Sequence, residues 1–273
     1  MTLDNDLLWI RKIITTRDNF SEDIDIAVIN VPKMTGNQVK TLIRDVEKTI
    51  SADLTEIADS PVTSKGSQYR KTLFTYPKTT DDRLFPGISD KLLIEINSFA
   101  NPYPFEKREI NSLVGFSLSQ NKQSELIIKY GLEPFSINIL DKRQTLVEKL
   151  VSLLRSSFDS DPIISLQSKI RHFYDLYFLY SEKECKSFID SGDFTGSLIE
   201  VWKHDQAIFN EPLNWQGKSF SESLLVNNFP VIWEQLKSAY SAELSALAYS
   251  KIPDEKMIAG VFSELVSRLN RYS

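Results

Sequence analysis

Asp23-Ile24-Asp25 is the sharpest local feature of the sequence that could do chemistry. It opens the run Asp23-Ile24-Asp25-Ile26-Ala27-Val28-Ile29, which alternates acid with apolar residue and then turns wholly apolar. That pattern predicts a strand whose start lies near solvent and whose end is buried. Residues two apart on a strand share a face, so the two carboxylates stand side by side and repel. A divalent cation relieves the repulsion. Mg²⁺ takes one or two carboxylates together with phosphate oxygens, and a metal held so can serve in-line displacement on a triphosphate. The same triplet also describes a solvated strand end. Glu95 interrupts the apolar run Leu92-Leu93-Ile94-Glu95-Ile96. A carboxylate buried there without a partner is costly. It either faces solvent from an edge strand or stands beside the Asp pair as a third metal-binding or basic carboxylate.

Further along, Lys149 flanks the apolar stripe Leu146, Leu150, Leu153, Leu154 and Phe158. A solvated lysine with its stem laid along that stripe is the ordinary expectation. Arg171 and Asp175 are four apart in Arg171-His172-Phe173-Tyr174-Asp175-Leu176-Tyr177, the spacing of a helix ion pair. The aromatics around them read as core, and His172 as a structural histidine. With His172 and His204 the only histidines and Cys185 the only cysteine, a His- or Cys-based metal site has little support. No GxGxxG or P-loop pattern occurs.

The elements that must position these groups divide the chain. Residues 3–15 carry Leu7, Ile10 and Ile14 at helical spacing. After the strand at Asp23, Pro32 and Gly36 break the chain, and residues 37–51 read as an amphipathic helix. Strands are predicted at 68–76 and 90–98, with weaker candidates at 108–116 and 135–140. From Thr145 the texture becomes helical, opening on a Thr-x-x-Glu capping box. Further helices are predicted at 165–181, 182–190, 195–209, 220–248 with a break near Pro230, and 254–271. The boundary falls near residue 141: a mixed α/β domain over 1–141 and a helical domain over 142–273.

Composition narrows the class. The chain has 273 residues, 41% of them hydrophobic and 25% charged, which is ordinary for a globular protein with its own core. With 16 Phe, 10 Tyr and 4 Trp to bury, disorder is excluded. No apolar run approaches a membrane span, and the first residues lack a secretory plan. A single cysteine predicts a cytoplasmic, reducing setting. The net charge of −5 argues against a broad nucleic-acid coat. A local patch of Lys142, Arg143, Lys149, Arg155, Lys169 and Arg171 is the candidate for phosphate contacts.

These segments, in order, resemble a family. Phe20-Ser21-Glu22-Asp23-Ile24-Asp25-Ile26, then the apolar strand with Glu95, then Thr145-Leu146-Val147-Glu148-Lys149-Leu150, then Arg171 to Leu179 resemble the AbiEii/AbiGii toxin family of nucleotidyltransferases. The similarity runs from about Lys12 to the last helices. It implies an α+β fold: a nucleotidyltransferase-like (DNA polymerase beta-like) mixed-sheet domain followed by a helical domain. It implies Mg²⁺-dependent transfer of a nucleotide from NTP, in some members to the acceptor end of tRNA. It also implies a toxin of a type IV toxin–antitoxin or phage-defence system, with a cognate antitoxin and no membrane association. By resemblance, Asp23, Asp25 and Glu95 would hold Mg²⁺. Lys149 would contact the nucleotide phosphates, Asp175 would complete the site, and Arg171 would steady Asp175 or touch phosphate. Lys12 and Ser21 match the nucleotide-binding approach to the Asp pair. The family's Gly-Gly-Thr or Gly-Ser turn before that pair has no counterpart at Asp6-Leu7-Leu8-Trp9. Either the motif has degenerated or the chain starts downstream of the true beginning. Two alternatives stay open: an impaired scaffold that binds a protein or RNA, and an enzyme whose acceptor is a protein or small molecule.

Overall fold

The computed structural model describes residues 8–10, 23–28, 34–77, 89–100, 104–213, 215–247 and 251–269. The chain divides into two compact units, and among the described residues the first runs up to Asp141 and the second starts at Lys142.

The first unit is built on a mixed sheet. Its strands are β1 (Leu8–Ile10), β2 (Asp23–Val28), β3 (Thr55–Glu56), β4 (Ser64–Lys65), β5 (Tyr69–Thr75), β6 (Lys91–Asn97), β7 (Phe105–Ile110) and β8 (Phe135–Leu140). Their order is β3-β5-β6-β2-β1-β8-β7, with β4 paired to β5. The β2–β6 and β1–β8 pairs are parallel and the others antiparallel. Helix α1 (Gly36–Ile50) starts at Thr35, whose hydroxyl accepts from the Gln38 N–H, while the Gln38 side chain accepts from the Thr35 N–H at 2.8 Å. This is a capping box, which satisfies two otherwise orphaned donors.

Val39, Ile43 and Val46 recur at helical spacing and are buried against Ile26, Val28, Phe74, Ile94 and Ile96. Glu47 is buried beside them. It accepts from the Arg70 guanidinium, with Nε at 2.8 Å, and from the Thr72 hydroxyl. The burial of alternate strand residues fixes the register of the whole face: residues 24, 26 and 28 of β2 and 92, 94 and 96 of β6 belong to the α1 side.

The second unit is helical: α4 (Lys142–Ser156), α5 (Pro162–Gln167), α6 (Ile170–Ser181), α7 (Lys183–Ile189), α8 (Asp193–Ile208), α9 (Leu224–Leu247) and α10 (Glu255–Leu269). The first unit adds α2 (Leu113–Gln120) and α3 (Ser124–Tyr130). Helix α4 is buried through Leu146, Val147, Leu150, Val151, Leu153 and Leu154, and its burial extends to the polar Gln144, Lys149 and Ser156, so it packs well beyond its apolar stripe. Phe173 of α6, Phe229 of α9 and Phe262 of α10 form an aromatic cluster, with Phe262 centroids 4.8 Å from Phe173 and 4.6 Å from Phe229. Among the described residues no helix is long and apolar enough to cross a membrane.

Four expectations from local pattern are corrected. Leu8–Ile10 pairs antiparallel with β2 as a strand, where helical spacing predicted a helix over 3–15; three apolar residues at that spacing are outweighed by sheet pairing. Residues 108–116 split into the end of β7 and the start of α2, because Ser112 caps α2 by accepting from the Gly115 N–H at 2.9 Å. Helix α4 begins at Lys142, so Thr145 lies inside its first turn and is not the cap. The helix predicted over 165–181 is two helices, broken at Ser168 and Lys169.

Candidate functional site

Asp23 and Asp25 open β2 and are both half-buried. In the parallel pairing with β6, Asp23 stands opposite Leu93 and Asp25 opposite Glu95. On the other side of β6, antiparallel β5 places Lys71 opposite Glu95 and Tyr69 opposite Asn97. Because the even-numbered residues of these strands face α1, the odd-numbered ones share the opposite face. One row across three strands therefore reads Asp25, Glu95, Lys71, with Asp23 and Tyr69 on the same face. The edge-strand reading of Glu95 is overturned, since β6 is paired on both sides. Its carboxylate stays half-exposed on the face away from α1.

Glu95 has a partner for each oxygen. Lys71 Nζ lies 2.7 Å from Oε1, and the Tyr69 hydroxyl donates to Oε2 at 2.9 Å. Burial first, then the negative charge of Glu95 and its hydrogen bond, and then Asp25, raise the Tyr69 phenol above the ordinary tyrosine range. The phenol therefore stays protonated and remains a donor at any physiological pH.

The chemistry of the donors fits a hard divalent cation at the Asp pair, since two carboxylates on one face of one strand are hard oxygen ligands. Among the described residues, no group of three His, Cys, Asp or Glu side chains is arranged to hold a metal.

The helical unit holds the second charged constellation. Lys149 of α4 and Asp175 of α6 form an ion pair with Nζ 2.7 Å from Oδ2, and their side chains are only 8% and 6% exposed. The expected solvated lysine is thus corrected. The flank of the α4 stripe is closed over by α6, and Lys149 is buried with a counter-charge. Desolvating two charges is tolerable only with such pairing.

The proposed basic patch is not a free surface. Lys142 bridges Glu182 and Glu184 at 3.0 and 2.9 Å. Arg155 pairs with Asp205 at 2.9 Å and stacks over Phe209, 4.1 Å from the ring centroid. Lys169 is largely buried, with Nζ 3.0 Å from the Ser152 hydroxyl. Burial first, then the neighbouring Arg155 charge, hold Lys169 down to about 8. Arg143 is exposed at the start of α4, and Arg171 is half-buried on α6. Lys12 and Ser21 lie outside the described residues.

Tyr69 and Lys71 are absent from the sequence-based site, although the strand that carries them is predicted. Their signal is register, since only the pairing of β5 with β6 sets them against Glu95.

A family model described as Nucleotidyl transferase AbiEii toxin, Type IV TA system, matches residues 11–256. No curated protein matches the chain.

Proposed function

We propose, from the premise that the chain belongs to the AbiEii nucleotidyl transferase toxin family, that it transfers a nucleotide from NTP to a hydroxyl acceptor, with tRNA the acceptor class to test first. The family places it among the toxins of type IV toxin–antitoxin systems, which implies an antitoxin partner. The observation that carries the enzymatic reading is the parallel register of β2 and β6, which sets Asp25 beside Glu95 with Asp23 on the same face.

In this reading Asp23 and Asp25 hold Mg²⁺, and Glu95 adds negative charge from the neighbouring strand. The bound ion supplies charge neutralisation of the triphosphate. The acceptor hydroxyl oxygen forms a bond to the α-phosphorus, the bond to pyrophosphate breaks, and the hydroxyl proton passes to a carboxylate of this face. Catalysis is then mainly positioning and electrostatic stabilisation. Lys149, Asp175 and Arg171 of the helical unit, and Lys12 and Ser21 of the segment before β2, carry roles in this reading by family resemblance alone.

The test incubates the full chain with each labelled NTP, Mg²⁺ and bulk tRNA. Label transfer that disappears in Asp25→Asn, with an unchanged circular dichroism spectrum, is the expected result. No transfer from any of the four NTPs by folded protein overturns it.

One feature favours a second reading. Residues 1–22 contain no glycine, so the family's glycine turn, which lets backbone amides approach a triphosphate, has no counterpart among them. A scaffold that binds protein or RNA without transfer would retain that binding in Asp25→Asn and without Mg²⁺.

A further inference from the structure

The carboxylate face carries a cation, Lys71, that no part of the family reading uses. It is the direct cross-strand partner of Glu95, and Glu95 in turn is the direct partner of Asp25. The Lys71 and Glu95 side chains are 30% and 24% exposed, so a ligand can reach both. Lys149, the lysine that family resemblance assigns to phosphate, is instead buried against Asp175.

Glu95 is placed to anchor rather than to ligate. Each of its oxygens has a partner, Lys71 for one and the Tyr69 hydroxyl for the other, and among the described residues no three carboxylates are arranged together to hold a metal. Two anchors on one short strand fix the carboxylate at both ends, and the carboxylate fixes the ammonium. A free lysine loses rotamer freedom when it is immobilised. A lysine already held has lost part of that freedom before a ligand arrives, which is preorganisation.

We propose that Lys71 contacts the nucleotide phosphates and that Glu95 is a positioning residue acting through Lys71, not a third metal ligand. This rests on the nucleotidyltransferase reading above. The metal is then held by two protein carboxylates, Asp23 and Asp25. The row Asp25, Glu95, Lys71 places a cation two strands away from the metal, suited to a second phosphate of the same nucleotide. Tyr69 is the second anchor of Glu95.

Two binding measurements on the full chain test it, neither of which needs turnover. The first follows Mn²⁺, as a probe for Mg²⁺, by loss of the free-ion electron paramagnetic resonance signal. Asp25→Asn should weaken Mn²⁺ at least tenfold. The double variant Glu95→Gln with Lys71→Met removes one charge of each sign and should stay within threefold of the parent. A double variant that loses Mn²⁺ as severely as Asp25→Asn makes Glu95 a ligand and overturns its positioning role. The second titrates each Mg²⁺-NTP by calorimetry. Lys71→Met should weaken the preferred NTP at least tenfold, and Lys71→Arg, which keeps the charge and the carboxylate pairing, should stay within threefold. Unchanged NTP affinity in Lys71→Met overturns the phosphate contact. Lys71→Arg also guards against a folding defect, since a loss shared equally by both Lys71 variants marks a structural lysine and overturns the proposal. If the parent binds neither Mn²⁺ nor any NTP, the nucleotidyltransferase reading itself falls, a result distinct from parent binding that the variants fail to change as stated.

Discussion

Lys149 and Asp175 form a buried ion pair whose structural worth can be measured apart from the role proposed for it in nucleotide transfer. Removing one partner leaves a buried charge uncompensated, whereas removing both exchanges the pair for apolar packing. Lys149→Met alone should therefore cost about 3–5 kcal/mol in urea unfolding. The double variant Lys149→Met with Asp175→Leu should recover most of that stability. Restored stability with restored nucleotide transfer makes the pair structural, whereas restored stability without transfer supports the role proposed for it.

Lys169 makes a pH prediction. Its ammonium is held down to about 8 in the folded protein from an ordinary 10.5, chiefly by burial and then by Arg155, with Asp205 and Asp159 opposing. Between those values the unfolded chain binds more protons than the folded one, so stability rises with pH there. The parent should gain roughly 1 kcal/mol relative to Lys169→Met between pH 7 and pH 9. Equal pH slopes in the two proteins contradict this.

Residue types were legible in the sequence where backbone period alone decides the outcome. Asp23 and Asp25 needed only a strand to share a face. Tyr69, Lys71 and the burial of Lys149 depend on partners distant in sequence, and no local pattern encodes those.

At the scale of the element, α1 is tied to the sheet by a charge as well as by its apolar stripe. Glu47 reaches Arg70 and Thr72 on β5, from the side opposite the Asp25 face. The same strand presents Arg70 and Thr72 to the helix and Tyr69 and Lys71 to Glu95, so its two faces share one register. Arg70→Met strands a buried Glu47 carboxylate with only Thr72 left. It should cost about 3–5 kcal/mol in thermal or urea unfolding. Combining it with Glu47→Leu should return most of the loss, and a double variant as unstable as the single would contradict this account.

Elements were readable where periodicity was strong and long. The helix over 37–51 and the strands at Asp23, 68–76 and 90–98 appear nearly as the pattern places them. Short elements were not. β1 spans three residues and α2 eight, and each is decided by what it pairs with or what caps it. Helix α5 ends at Gln167; Ser168 keeps helical angles and Lys169 leaves them, and nothing in Ser165-Leu166-Gln167-Ser168-Lys169 announces a break.

At the scale of the whole molecule, a net charge of −5 matters less than which charges are already spoken for. Lys142, Lys149, Arg155 and Lys169 appear in the sequence as a cationic group, yet each is turned to an acid, a hydroxyl or a ring. A cationic group read from the sequence is counted without its partners, so it overstates the free basic surface.

The strand β7 has a consequence for the protein in concentrated solution. It ends the strand order of the sheet with Glu106, Lys107, Arg108 and Glu109 in succession, and Glu106 pairs with Arg108 along one of its faces. A charged rim discourages another chain from extending the sheet into an aggregate. Lys107→Val with Glu109→Val should leave the melting temperature nearly unchanged while light scattering at high protein concentration rises. Such a rim keeps the last strand of the sheet from templating a second copy, so the folded chain and its aggregate are separated by charge and not by stability.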